Sequence, residues 1–223
     1  MIHYSEISAS SEFNFLTNKG FKLSFDRTYP AAFAKGEKLT PELHKVILLG
    51  FDSVYPEDTT PSHLCAYIGF PKTDKMISTI LSENNLKGIS SESTPTYDIS
   101  VSFEEYILDF KEKHDSLLNQ WAFTLEHFLE NQADSFFDKY GSLNFLHSHV
   151  MSLKAKEELS SFLGPLWEFR RIAIMSLAGD VQTKTIAKDF LQKRKSICES
   201  YPEEEVAINY YNAAKQLHKL VIS

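Results

Sequence analysis

Little in this chain is equipped for redox or metal chemistry. It holds 2 cysteines, Cys65 and Cys198, with no metal or redox spacing between them, and both lie in apolar stretches. They read as buried thiols of a reducing compartment. Glycine is scarce at 8 of 223 residues, which leaves little from which to build a glycine-rich phosphate cradle. The G-x-S-x-G, P-loop, G-x-G-x-x-G, H-E-x-x-H and paired-cysteine patterns are all missing. No apolar run approaches the roughly 20 residues of a membrane span. Met1 to Ser11 has neither the basic start nor the apolar run of a signal peptide, so a cytoplasmic location is expected. Positive charge is also short. A net charge of −7 argues against a broad basic footprint for nucleic acid or anionic membrane.

What the chain has in quantity is apolar bulk, 43% hydrophobic residues with 17 Phe and 10 Tyr. That composition buries a substantial core, in one large or two small domains, and excludes disorder over most of the length. The longest continuous pattern runs from Ser102 to Tyr140. Ser102 with Glu105 fits a capping box, and Val101 with Tyr106 a hydrophobic staple. At 100° per residue, Tyr106, Phe110, Leu117, Trp121, Leu125 and Phe128 share one arc of an amphipathic helix. Gln132 then falls inside the arc, while Phe136, Phe137 and Tyr140 are rotated by roughly a quarter turn. A straight helix from Phe103 would be about 57 Å long, against roughly 45 Å for the diameter of a compact globule. Phase and length together predict a break or kink between Asn131 and Ser135, with Asp134 as a new N-cap.

The first hundred residues read as mixed. A short helix over Ser11 to Lys19 carries Phe13 and Leu16 and stops at Gly20. Phe21 to Phe25, His44 to Phe51, His63 to Phe70 and Tyr97 to Val101 read as strands. Thr40-Pro41-Glu42 before the second of these also resembles a helix start. Arg27 to Pro30 and Lys35-Gly36-Glu37 read as turns, and Tyr55 to Pro61 and Gly88 to Pro95 as loop and linker. A helix from Thr73 to Asn84-Asn85 presents Met76, Ile77, Ile80 and Leu81.

After Tyr140 the pattern is helical to the end. Helices are expected over Ser152 to Leu163, from Pro165 at a first helical position to Gly179-Asp180, over Thr183 to Glu199, and from Pro202 onward. The stripe of the third carries Ile186, Phe190, Ile197 and Tyr201. That of the last carries Val206, Tyr210, Ala213, Leu217 and Val221. The fold class is therefore α+β: a small, mainly antiparallel sheet with helices in the N-terminal half, residues 1–101, and a helical bundle in residues 102–223. The helix starting at 103 would pack the two as one compact unit.

Few residues suggest chemistry. His147-Ser-His149 would chelate a metal from a strand, where both rings share a side, but would diverge by about 200° in a helix. With no carboxylate nearby in sequence, solvated or capping histidines are the plainer expectation. His114 sits on the apolar arc and reads as a core or boundary histidine rather than a proton-transfer group. Arg170 falls between Leu166, Ile174 and Leu177, inside an apolar helix. It needs a carboxylate, with Glu57 and Asp58 as candidates, or else it captures an anionic ligand. Lys184, Lys188, Lys193, Arg194 and Lys195 make one helix locally basic, which reads as a solvated face. Phe123, pointing off the buried arc, and Phe137 mark a candidate interaction surface.

These features lean away from catalysis and imply no cofactor and no metal. The expected function is a non-enzymatic cytoplasmic protein that binds another protein, as an adaptor, an inhibitor or a neutralising partner of an effector, with a homodimer left open. A metal-dependent or acid–base hydrolase using His147, His149, His114 and acids near Glu57 is the alternative. A nucleic-acid regulator using the basic helix comes third.

Overall fold

The computed structural model describes residues 10–28, 31–51, 61–86, 97–102, 117–164 and 166–222. The fold is α+β. Chain contacts divide it into two units, residues 1–68 with 97–139 and residues 69–96 with 140–223. This differs from a boundary near residue 101, because the helix that starts at Pro71 packs with the C-terminal helices.

The first unit is built on a five-stranded sheet, in order β1 (Lys22–Thr28), β2 (Ala31–Leu39), β3 (His44–Phe51), β4 (Pro61–Gly69) and β5 (Tyr97–Ser102). The β1·β2, β2·β3 and β4·β5 pairings are antiparallel. A 3-10 turn, Ser11–Phe13, leads into α1 (Asn14–Asn18), with Phe13 and Leu16 buried as their spacing predicts. Two expected turns are strand instead. Arg27 and Thr28 continue β1, pairing with Ala32 and Ala31. Gly36 lies inside β2 opposite Leu23 and Ile47. A Cβ at Gly36 would sit at ordinary contact distance, 3.6 Å, from both Leu16 methyls, so α1 covers this strand position and the glycine marks no turn. Thr40-Pro41-Glu42 starts no helix. Thr40 bonds Leu43 through both backbone and hydroxyl, which turns β2 into β3.

Ile47 and Leu49 of β3 are buried on one face of the sheet. Lys45, two residues before Ile47, lies 5.1 Å from the ring centre of Phe137. Phe137 belongs to the long helical run: α3 (Leu117–Phe128), a π turn (Leu129–Ala133) and α4 (Asp134–Tyr140). The π turn is the predicted irregularity, but the chain does not break there. Asp134 keeps helical dihedrals and its N–H reaches back to the carbonyl of Leu129, five residues away, so it is not an N-cap. Its carboxylate instead accepts from Lys19 at 2.8 Å. That bond, helped by the charges of Asp134 and Glu130 and opposed by burial, holds the Lys19 ammonium above its usual pKa.

The second unit is helical: α2 (Pro71–Glu83), α5 (Leu143–Ser152), α6 (Lys156–Leu163), α7 (Trp167–Leu177), α8 (Thr183–Ser200) and α9 (Glu205–Ile222). Asn85, at φ 55°, ends α2 with a Schellman pair of bonds, Leu86 to Leu81 and Asn85 to Ser82. Gly179, at φ 71°, ends α7 in the same way. The core gathers Ile77, Ile80, Leu81, Phe169, Ile172 and Leu217 with small residues of α7, α8 and α9. Three expectations need correction. The helix expected from Ser152 begins at Lys156, because Leu153 and Ala155 are extended and Glu158 reaches back to the N–H groups of Lys154 and Ala155. Pro202 lies in a turn and α9 begins at Glu205. As a result Tyr201 and Val206 are exposed, and Ala207 takes the inward position. Cys65 is buried, but Cys198 is only half-buried.

The capping box, the staple, the helix before Leu117, the Tyr55 loop and the Gly88 linker lie outside the described residues. So do His114, Glu57, Asp58 and the helix-starting role of Pro165.

Candidate functional site

The helical unit carries an open cleft between α7 and α8. On α7, Trp167 and Arg171 are four residues apart, as are Glu168 and Ile172, so two ridges run along one face. On α8, Ile186, Asp189, Phe190 and Lys193 follow the same helical spacing. The two rows enclose about 310 Å³. Ile172 and Phe190 are buried and form an apolar floor, while Arg171, Glu168, Asp189 and Lys193 form a charged rim.

Glu168 closes one side. Its carboxylate accepts from Lys193 at 2.6 Å and from Arg194 at 2.5 Å. The Arg194 guanidinium in turn lies over the rings of Tyr210, at 4.9 Å, and Phe190, at 5.2 Å. Beyond Glu168 a second hollow of about 230 Å³ is lined by Leu166, Phe169, Arg194 and Tyr210. The basic helix is thus not a free cationic face, since two of its five cations are held by Glu168 and Lys195 lies 3.6 Å from Glu199. The Nε of Arg171, like those of Arg170 and Arg194, is buried with no hydrogen-bond acceptor among the described residues.

Arg170, one residue earlier, turns inward and is 4% exposed. Its Nη1 donates to the carbonyl of Leu163. Burial pushes its pKa down to about 10, partly offset by the charge of Asp74 on α2. A Cβ on Gly164, at φ 74°, would lie 2.7 Å from this Nη1. Glycine therefore meets both the backbone angle and the close approach.

The histidine pair sits on α5, and the two rings diverge as a helix requires. His147 Nε2 lies 2.7 Å from the Asp180 carboxylate. His149 packs edge-on against Phe162 at 4.7 Å and Tyr140 at 5.8 Å. Both are partly exposed, and the acid that sequence distance hid from His147 is 33 residues away. Asp180 also accepts the N–H of Gln182 at 2.7 Å. That bond first, then His147, holds its carboxyl below the usual range. A hollow of about 260 Å³ beside it is lined by Ser176, Val181, Thr183 and Val221.

Phe137 is not a surface residue. It is 1% exposed, packed against Phe21 at 6.1 Å. Phe123 is half-buried and stacks on His127 at 6.4 Å. Trp167, Glu168, Arg171 and Asp189 are not residues that periodicity singles out. The available signal was the Trp167–Arg171 spacing, which puts an aromatic and a cation on one edge of an otherwise apolar helix. Among the described residues no group of three or more His, Cys, Asp or Glu side chains could hold a metal ion. No described helix is long and apolar enough to cross a membrane. Comparison of the chain with protein-family models, curated proteins and solved structures finds no match.

Proposed function

We propose that this is a cytoplasmic protein that acts by binding another protein, as an adaptor, an inhibitor or a neutralising partner of an effector, and that the α7–α8 cleft is its docking site. The carrying observation is the make-up of that cleft. It has an apolar floor, a charged rim, and Trp167, Arg171 and Tyr210 on or beside it. Trp, Tyr and Arg dominate the energetics of protein interfaces, because each combines large contact area with a polar handle. The hydrolase alternative draws less support, because it needs His147 and His149 together and their rings point to different partners.

The test is affinity capture by the full chain and by Trp167→Ala and Arg171→Glu, with bound proteins quantified by mass spectrometry. The proposal expects one or a few proteins retained by the parent chain and reduced at least about tenfold by both variants. Equal retention by all three would reject the cleft as the docking site.

A further inference from the structure

The turn joining α8 to α9 is an exposed tip with an unusual mixture of side chains. Tyr201 is 54% exposed and Val206 61%. Around them Glu199, Glu203, Glu204 and Glu205 are all exposed. The backbone is fixed by Tyr201 N–H to Ile197 and Glu204 N–H to Tyr201, so the tip is a shaped knob. A tyrosine held in water by a rigid turn is a common anchor at protein interfaces.

The α7–α8 cleft has the opposite character. Its walls and the adjoining fork carry Arg171, Lys193 and Arg194 against Glu168 and Asp189. The surplus is one positive charge, in a chain whose net charge is −7. Its volume of about 310 Å³ admits one large side chain, with Ile172, Ile186 and Phe190 for the ring and the Arg171 donors for an oxygen. Knob and cleft both involve α8. Lys193 and Tyr201 are separated by about 12 Å of rigid helix, at 1.5 Å per residue. One molecule cannot fill its own cleft.

We propose that the partner chemistry the cleft recognises is present in a second copy of this chain. Tyr201 of one copy enters the α7–α8 cleft of another, and Glu203 to Glu205 face Arg171 and Lys193. The inference rests on the cleft being a protein-docking site. The contact joins two different patches that both involve α8, so it either closes as a reciprocal two-fold pair or continues head-to-tail into a ring or a short chain. Its small area implies weak binding, with a dissociation constant on the order of 100 μM.

Sedimentation of the full chain over a concentration series tests this. Mass-action growth beyond monomer is expected, weakened at least about tenfold by Tyr201→Ala or by Arg171→Glu. Tyr201 sits on an exposed turn, so its variant keeps the test valid even if Arg171→Glu loosens the helical unit. The decisive arm mixes a dead tip, Tyr201→Ala with Glu204→Lys, and a dead cleft, Arg171→Glu. Only one intact tip and one intact cleft then remain, so the mixture should form a heterodimer and nothing larger. A parent chain that stays monomeric, or a mixture that forms no heterodimer, overturns the proposal. Loss of self-association with capture of a different protein still dependent on Arg171 would leave the docking site standing and reject only its occupant.

Discussion

Arg170 and Arg171 are adjacent in sequence and opposite in role. A rotation of 100° sends one guanidinium into the core and the other to the cleft rim. Arg170→Ala should destabilise the helical unit by about 2–4 kcal/mol in urea unfolding, since it opens a cavity and leaves the Leu163 carbonyl without its donor. Gly164→Ala should cost about 1–2 kcal/mol for its positive φ alone, and more while Arg170 is present. In a double-mutant cycle the two changes should therefore be less than additive; strict additivity would show that Nη1 does not crowd residue 164. Periodicity was enough to find Arg170, because a charge inside an apolar arc contradicts its surroundings. Arg171 produces no such conflict, and its importance depends on α8 being alongside.

Asp180 supplies a pH signature at the same scale. Its folded pKa lies below the ordinary 3.8, so the stabilisation is full above that value and disappears as pH falls through the folded pKa. Unfolding midpoints followed from about pH 5 to pH 2 should show part of their acid slope removed in Asp180→Asn. An unchanged slope would place the titration elsewhere.

Among the elements, the π turn at Leu129–Ala133 explains most. Counting from Trp121 at about 100° per residue, Leu125, Phe128 and Leu129 lie near about 40°, −20° and 80°. Without the wide turn Ala133, Phe136 and Phe137 would drift to about 120°, 60° and 160°; subtracting one residue's advance returns them to about 20°, −40° and 60°. All six are buried. One extra residue is thus absorbed so that a single buried stripe continues. Deleting Gln132 should consequently give an unbroken α-helix with thermal stability equal to or above that of the parent chain, followed by circular dichroism. An alanine inserted at the same place rotates Phe136 and Phe137 by a further ~100° and should lower the midpoint sharply. If the deletion is as damaging as the insertion, the turn has another purpose. The phase error was legible in the sequence; its remedy was not, since a break, a kink and a π turn all repair phase. Gly36 shows the reverse limit. Its neighbours Lys35 and Glu37 look like a turn, and only the pairing of Gly36 with Leu23 on one side and Ile47 on the other places it inside a strand.

For the whole molecule, fold class was readable because strand alternation and helical stripes are local properties. The interleaving of two units was not, since α2 joins the C-terminal helices through contacts far along the chain. The proposed docking cleft shares that origin, being made by two helices that each look ordinary alone. The most direct test of the account places a photo-crosslinking residue at Asp189, on the cleft rim, and separately at Lys215, exposed on α9. The two proteins are irradiated in extract of the native cell. The account predicts a discrete protein adduct from position 189, abolished by Arg171→Glu and missing from position 215. The same adducts from both positions, or none from position 189, would contradict it.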